Sequence, residues 1–541
     1  MKKFFLFILI FGSAAQYANA QMTPLDQQTQ NSLNGLLLQD PSIFTGFRSM
    51  DWLEWSSKNS LHKTQTADSI FGMSASENKF GGRVLNSNWL QAQGKNYIIV
   101  ANPILDGTIG RSNQDGKLLN GDIGASIQGI FFNKISFGVN AYWASSQFPE
   151  YVNEYIAQND NAIPGEKEVT PNAHGRYNYT HFDGYLSYIP NSHITLTAGY
   201  GKQFIGDGYR SLFWSDNANS SPYLRLKVSY WRFNYNVVYT RMDNDALSSG
   251  ASSNEGKYSV SHYLGVTVAK KWQFGFFENI IWLAKDSNYH RGFDVQYLNP
   301  LPMFWSVNYS LGSSDNELLG FTGKYKLNNG YIYGQLGFDD FSFKDGLQYF
   351  HSKYFFQLGV WNHDIFHVKG LDWRLEWNSV RPYVYGHQNS DGAVNGLIRL
   401  NYTNNHQPLG DPWGANFHEF ISIFNYGYGR WFAMLEDMYT LRGENPGVSY
   451  NNGEDLWGGE DGVPAIAKTL QGTVHHYFIN QFSVGYLINP RNRLSIQGNL
   501  DYYMHSAQGA HNSEFIFSIG VKTNLFNHYY DAAKTNPLPV Q

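Results

Sequence analysis

The sequence predicts an all-β protein, an outer-membrane antiparallel β-barrel of about 18 strands with a plugged lumen. Segments in which apolar and polar residues alternate recur from about residue 94 to residue 526. Aromatic residues make up 17% of the chain and glycines number 53. Charged residues are 15%, whereas soluble proteins carry about 25%. Aromatic girdles at both membrane interfaces, with an apolar outside and a polar inside, produce this composition.

The first 20 residues have the pattern of a cleaved secretory signal peptide. Lys2 and Lys3 precede the apolar run 4–11, and the small-x-small sequence at 18–20 is a cleavage site. The apolar run is too short for a spanning helix, which needs about 20 residues. We therefore expect export across the inner membrane and a location in the outer membrane.

The chain contains no cysteine, which excludes disulfides and thiol chemistry. Its net charge of −5 is small for 541 residues and does not support nucleic-acid binding. We expect no cofactor and no metal site.

The pattern divides the chain into four regions. The signal peptide 1–20 is followed by segment 21–93, which lacks sustained alternation and includes a short helical pattern. This segment is either a periplasmic or plug-like element or a loosely ordered leader. The transmembrane barrel occupies 94–526, and a polar tail, 527–541, is expected in the periplasm.

Nineteen segments alternate over about the 9–11 residues that a tilted membrane strand needs. Single-chain barrels carry even strand numbers, so one segment is expected to be wrong; 18 strands are expected, with 16 and 20 as alternatives. A soluble sandwich or propeller is the other fold considered, but it would not need so many aromatic residues. The segments lie near 96–102, 122–131, 135–143, 179–189, 193–203, 222–230, 233–241, 258–269, 272–284, 316–326, 331–339, 353–361, 371–378, 394–401, 416–427, 431–441, 475–487, 493–503 and 514–526.

Four polar-aromatic stretches stand out from the strand pattern. In this order and spacing they resemble the capsule-assembly Wzi family of outer-membrane proteins, and within it the gliding-motility RemB-like branch. The resemblance covers roughly residues 200–420. The stretches are GDGYRSLFWSDN at 206–217, FENIIW at 277–282 followed by YLNPL at 297–301, SDNELLG at 314–320 leading to YGQ at 333–335 and DD at 339–340, and NHQPLGDPWGANFHE at 405–419.

The resemblance implies a plugged barrel that acts on polysaccharide at the cell surface without enzymatic activity. The expected function is therefore binding, attachment or assembly of a capsule or exopolysaccharide. The alternative is a role in gliding motility or adhesion through protein partners, and a diffusion channel or an outer-membrane hydrolase are further alternatives. The expected partners are surface polysaccharide and outer-membrane lipid, with motility or secretion-machinery proteins under the alternative.

The residues of the first stretch suit glycan binding. Gly206 and Gly208 allow positive φ, so that successive N–H groups can form an anion-binding concavity. Arg210 is a fork donor for a carboxylate, including one on an acidic sugar. Tyr209 and Trp214 offer ring faces on which sugars can stack.

The same residues also suit an internal clamp, which is the primary role we favour. In that role Arg210 pairs with a lumen acid such as Glu278, Asp339 or Glu419, because charges inside a barrel need partners. The full set of glycan-binding or lumen-clamp candidates is Gly206, Asp207, Gly208, Tyr209, Arg210, Trp214, Asp216, Asn217, Glu278, Asn299, Gln335, Asp339, Trp413, Asn416 and Glu419.

The hydrolase alternative needs a nucleophile with a base. The chain offers a serine, a histidine and an asparagine for such a set in Ser211, His418 and Asn416, but no nucleophile elbow surrounds Ser211. The sequence therefore predicts a protein that is not an enzyme and contains no catalytic residues.

Overall fold

A computed structural model describes most of the barrel region and parts of the N-terminal segment. Residues 1–20, which the sequence predicts to be a signal peptide, lie outside the described residues. The described residues are 25, 30, 34–35, 43–48, 80–243, 256–284, 292–298, 315–339, 346–389, 398–446, 451–458, 463–523 and 529–532.

Within these residues the chain forms 23 strands and a few short helices. The helices are α1 (Phe80–Asn86), α2 (Glu150–Gln158) and the 3-10 turns Val295–Leu298, Ile365–His367 and Tyr530–Ala532. The strands are β1 (Leu90–Gly94), β2 (Tyr97–Ser112), β3 (Gly116–Phe131), β4 (Ile135–Ser146), β5 (Tyr177–Asn191), β6 (Ile194–Gly201), β7 (Ser221–Tyr230), β8 (Phe233–Met242), β9 (Lys257–Val268), β10 (Trp272–Leu283), β11 (Asn316–Lys326), β12 (Gly330–Asp339), β13 (Tyr354–Asn362), β14 (Leu371–Val380), β15 (Gln388–Asn389), β16 (Ile398–Arg399), β17 (Thr403–Asn404), β18 (Gln407–Pro408), β19 (Phe417–Tyr428), β20 (Trp431–Glu444), β21 (Thr473–Asn489), β22 (Leu494–Ala507) and β23 (Ala510–Thr523).

Eighteen of these strands, β2–β14 and β19–β23, form a closed antiparallel barrel, which confirms the expected count. Strand β2 pairs with β3 along its length and with β23 over Gly107–Ser112, and this second pairing closes the sheet. The short strand β1 pairs with the beginning of β2. Closure leaves no open edge, so the backbone groups of the wall are paired within the protein, as a bilayer requires.

The sequence segment 394–401 is wrong as a wall strand. Strand β14 pairs directly with β19, and the described residues of this segment, 398–401, contain the two-residue strand β16, which pairs with β15. Leu400 is buried, and the backbone oxygen of the next residue, Asn401, accepts a hydrogen bond from Lys257 Nζ at 3.0 Å. Residues 400 and 401 are buried inside the barrel, so an alternating pattern does not by itself identify a wall strand.

The barrel has one end with short connections and one with long ones, here called the turn end and the loop end. Turns such as 132–134 and 231–232 lie at the turn end, where the chain also enters β2 and leaves β23. Connections such as 147–176 and 202–220 lie at the loop end. By the usual asymmetry of outer-membrane barrels, the turn end faces the periplasm.

The wall alternates as the sequence predicts, with apolar side chains outward and polar ones inward. On β7, Leu224 and Tyr230 are exposed on the outside, whereas Arg225 and Lys227 are buried on the inside. Helix α2 packs within the lumen, where its Tyr151 ring stacks on a tyrosine of β22 at a centroid distance of 4.3 Å. Among the described helices, none is long and apolar enough to cross a membrane.

Four pieces of chain fill the lumen and together are called the luminal plug: residues 43–48, 202–220, 398–416 and 529–532. The sequence places the C-terminal tail in the periplasm, whereas residues 529–532 lie inside the barrel with Tyr529 and Asp531 buried. The lumen is therefore filled by residues 43–48 and 529–532 together with helix α2 and two loop-end segments.

Candidate functional site

The stretch at 206–217 enters the lumen as part of a small ribbon. Ile205 pairs with Phe47 of the N-terminal segment on one side and with Trp214 on the other. Gly206 N donates to Gly46 O at 2.8 Å. Gly206 has φ of 134°, and a Cβ there would lie 2.2 Å from the amide nitrogen of Gln335. Glycine is required at this position for both reasons.

Arg210 lies at the centre of the plug and has no exposed side-chain surface. Its Nη2 lies 3.3 Å from Glu419 Oε1 and 3.0 Å from Asp531 Oδ2. Trp413 Nε1 and Asn378 Nδ2 donate to the two oxygens of Glu419 at 3.0 and 2.9 Å. These five residues are called the Arg210 cluster. Burial alone lowers the pKa of Arg210, but Asp531 and then Glu419 outweigh it and raise that pKa well above its usual value.

The concavity that the two glycines were predicted to form is filled by a carboxylate of the chain itself. The backbone N–H groups of Tyr209 and Arg210 donate to the two oxygens of Glu376 at 2.7 and 3.1 Å. A Cβ at Gly208 would lie 2.6 Å from Glu376 Oε2, so only glycine permits this approach. Tyr333 OH donates to Glu376 Oε2 at 2.6 Å.

The C-terminal segment is tied to the same region by two tyrosines. Tyr209 OH lies 2.9 Å from Glu436 Oε1 and 2.7 Å from Asp531 Oδ2. Tyr529 OH donates to Asp216 Oδ1 at 2.6 Å. Asp216 and Tyr209 of the predicted set therefore contact a part of the chain that lies more than 300 residues away.

Asp207 connects the plug to the wall and to the N-terminal segment. Lys324 Nζ lies 2.8 Å from Asp207 Oδ1, and Thr45 Oγ1 donates to the same oxygen at 2.5 Å. Arg374 Nη1 donates to the backbone oxygen of Asp207 at 2.8 Å. Burial raises the pKa of Asp207, but Lys324 outweighs it, so the net pKa is lowered and the carboxylate stays charged.

Three other predicted residues bind backbone groups of the plug. Gln335 Oε1 accepts from Leu212 N at 2.8 Å, and Asn217 Nδ2 donates to Pro408 O at 2.8 Å. Asp339 Oδ2 accepts from Tyr385 N at 2.6 Å, so it holds the segment between β14 and β19 rather than Arg210.

Asn416 and Trp214 are also buried. Asn416 Oδ1 accepts from Leu470 N at 2.7 Å, and Asn416 Nδ2 donates to Gly443 O at 2.9 Å. Asn416 thus joins two loop-end connections. The Trp214 ring meets Tyr402 edge-on at a centroid distance of 6.4 Å.

Glu278 is not a luminal partner of Arg210, which corrects the sequence-based expectation. The ring of its neighbour Phe277 packs against the ring of Phe213 in the plug at a centroid distance of 4.8 Å. Because successive residues of a strand point to opposite faces, Glu278 faces the outside of the wall. There it is buried directly opposite His262 in the β9–β10 register. The error arose because an acid in a barrel strand was assumed to face the polar side. Asn299 lies outside the described residues.

The hydrolase set does not assemble. Ser211 is buried in the plug, where its Oγ donates to Ile205 O and accepts from Trp214 N. His418 lies between inward-facing Phe417 and Glu419 and so points to the outer face of the wall. The wall itself separates the two side chains. Among the described residues, no three histidine, aspartate or glutamate side chains lie close enough to hold a metal ion.

Sequence reasoning missed several residues that hold the plug. A signal existed for Arg374, Glu376 and Asn378, because β14 alternates them with Leu375 and Trp377 and so assigns them to one polar face. No comparable signal existed for Asp531, which follows the last strand and belongs to no alternating pattern.

At the loop end, polar and aromatic side chains share a partly exposed surface. The rings of His406 and Trp457 lie 6.3 Å apart. His406 Nδ1 lies 3.3 Å from Asp160 Oδ2, and Glu168 Oε1 lies 3.9 Å from its other nitrogen. These four residues are called the loop-end surface. Ring faces beside carboxylate acceptors are groups that can contact sugar rings and their hydroxyls.

The fold and site define an outer-membrane β-barrel with a plugged lumen. No protein-family model matches the chain, and no curated protein matches it. Among solved structures, the chain is similar to Wzi, an outer-membrane protein involved in group 1 capsule assembly in Escherichia coli and described as a carbohydrate-binding β-barrel. The TM-score is 0.52 at 12% identity, covering 93% of this chain and 99% of that one.

Two other solved structures match less well. OprD of Pseudomonas aeruginosa has a TM-score of 0.42 at 9% identity, covering 81% of this chain and 97% of that one. OccAB2 of Acinetobacter baumannii has a TM-score of 0.41 at 11% identity, covering 78% of this chain and 97% of that one. At these identities the comparisons show the outer-membrane barrel fold alone.

Proposed function

We propose that this chain is a non-enzymatic outer-membrane barrel that binds a surface polysaccharide at its loop end and helps to hold it at the cell. The observation that carries the proposal is the combination of a luminal plug, fixed to strands β14 and β19 through the Arg210 cluster, with a loop-end surface of rings and carboxylates. A transport pore needs an open lumen, whereas a binding protein needs only a rigid platform. Similarity in fold to a carbohydrate-binding barrel supports the same conclusion.

The predicted residues of stretch 206–217 act, on this proposal, as the clamp that makes the platform rigid. Arg210 and Asp207 have their charges paired within the chain. A ligand would have to displace these buried partners, which is costly. Glycan contact is therefore assigned to the loop-end surface, and the clamp residues support it from inside.

The test uses a strain lacking the protein, complemented with wild-type or variant chains. We expect deletion to release capsule or exopolysaccharide into the medium, and the wild-type gene to restore retention. Unchanged surface glycan in the deletion strain would contradict the proposal. Altered spreading or attachment with intact glycan would instead support the gliding-motility alternative, which rests on the sequence resemblance alone.

Replacing Trp457 with alanine tests the loop-end surface directly. We expect the purified variant to bind the released glycan about tenfold more weakly, the change that a loss of about 1.4 kcal/mol produces. Glycan binding would be measured by titration calorimetry. Trp231→Ala is the matched control, because Trp231 is exposed at the opposite, turn end of the barrel. If the two variants bound the glycan with equal affinity, Trp457 would not be part of the binding surface.

A further inference from the structure

A cavity of about 620 Å³ remains inside the barrel beside the luminal plug. It reaches the turn end, where Gly370, Gly427 and Lys522 line it, and extends inward to Tyr209 and Glu436. Its volume lies in the range of about 300–1,000 Å³ that is typical of small-molecule sites. Phe148 and Tyr151, from the loop-end connection 147–176, line the cavity on its loop-end side, and none of its lining residues belongs to the loop-end surface.

The walls of this cavity are strongly acidic. Asp106 and Asp122 are direct cross-strand partners on the inner faces of β2 and β3. Like charges placed directly opposite each other destabilise a sheet unless a counter-charge is near. Among the described lining residues, Lys522 is the single lysine or arginine. The acidic lining residues are Asp106, Asp122, Asp372, Glu436 and Asp501.

Aromatic side chains line the same cavity and are held in place by their neighbours. Tyr151 stacks on Tyr503 at 4.3 Å, and Phe148 packs against Tyr530 at 5.4 Å. Tyr209 is fixed through its hydroxyl, as described above. Rings attract cations through their faces and also offer apolar contact to the C–H groups of a sugar.

Amide side chains complete the lining. Asn120, Gln497 and Asn499 face the cavity from β3 and β22. Each can donate to and accept from hydroxyl groups. A ligand that matches this cavity therefore carries positive charge, has hydroxyls, and presents an apolar ring edge.

We infer that the cavity binds a protonated amino sugar, with its ammonium group near Asp122 and Asp501 and its ring against the tyrosines. Neutral sugars lose the charge interaction, and acidic sugars such as uronates are repelled. Among the described residues the cavity reaches the turn end, so we expect its ligand to be presented from the periplasm. This inference does not depend on glycan binding at the loop end.

The test is titration calorimetry of the purified full chain in detergent with glucosamine, N-acetylglucosamine and glucuronate. We expect glucosamine to bind, N-acetylglucosamine to bind about tenfold or more weakly because it lacks the buried charge contact, and glucuronate not to bind. Equal binding of glucosamine and N-acetylglucosamine would overturn the inference, as would an absence of glucosamine binding.

Two variants locate the site. Asp122→Asn and Asp501→Asn are expected to weaken glucosamine binding by about tenfold each, because each removes one carboxylate facing the ammonium group. Neither should unfold the barrel, since Asp122→Asn relieves the repulsion from Asp106 and Asp501→Asn keeps the shape of the side chain, and far-UV circular dichroism checks this. Asp115→Asn, in the exposed turn between β2 and β3, is the matched control. Unchanged affinity in both cavity variants would overturn the inference. Trp457→Ala should leave glucosamine affinity unchanged, which separates this result from the proposed function.

Discussion

Replacing Arg210 with alanine is expected to destabilise the protein by roughly 3–5 kcal/mol, because it leaves buried carboxylates without their counter-charge. Glu419 and Asp531 both lie within 3.3 Å of its Nη2. The free energy of unfolding would be measured in guanidinium chloride by tryptophan fluorescence. The wall strands do not depend on Arg210 for their pairing, so we expect the plug to loosen before the barrel unfolds.

Planar-bilayer recordings test that order of events. The wild-type protein should be nearly silent, whereas Arg210→Ala should show frequent conducting events as the plug moves. Arg232→Ala serves as the control, because Arg232 lies in an exposed turn against Trp231 and touches no plug residue in the described chain. If Arg210→Ala kept wild-type stability and remained electrically silent, the cluster would not hold the plug.

Adding Glu419→Gln to Arg210→Ala should recover part of the lost stability, since it removes one unpaired charge.

Deleting the chain after residue 526 is expected to loosen the plug as well, by roughly 3 kcal/mol, because charged hydrogen bonds to Arg210 and Tyr209 are lost together. Asp531 supplies both of those bonds. The last wall strand ends at Thr523, so the truncated chain retains every barrel strand. The same unfolding and conductance measurements apply.

A matched pair of point variants separates the charge of the tail from its bulk. Asp531→Asn keeps the shape but removes the charge facing Arg210, and it should produce most of the effect of truncation. Tyr529→Phe removes one hydrogen bond, to Asp216, and should cost only about 1 kcal/mol. If truncation left both stability and conductance unchanged, the tail would have no part in the plug.

Most wall strands could be predicted because a membrane barrel imposes a strong local rule. Each strand must present apolar side chains to lipid and polar ones to the lumen, so a single strand such as β7 carries its own assignment. Segment 394–401 obeyed the same rule, although its described residues, 398–401, lie in the luminal plug. Periodicity reports that two faces differ, and it does not report whether the apolar face meets lipid or a plug.

The site was predicted only in part. Stretch 206–217 was recognised because its glycines, arginine and aromatic residues do not fit a strand or a simple turn. Glu419 was named correctly as a partner of Arg210, but Glu278 was not, since its strand places it on the outer face. Pairing between distant charges depends on which strands become neighbours and in which register, and alternation within one strand carries no such information.

By itself, the amino-acid sequence determined the kind of wall this protein builds: a closed sheet of about 18 strands with lipid outside. Only the tertiary structure decided what fills that wall. The inward path of the C-terminal tail, the pairing of Arg210 with Asp531 and the acidic cavity all arise from contacts between residues hundreds of positions apart. The wall is specified by local alternation against a uniform solvent, the lipid, whereas the plug is specified by charge and packing partners that lie far apart in the chain and meet only in the folded barrel.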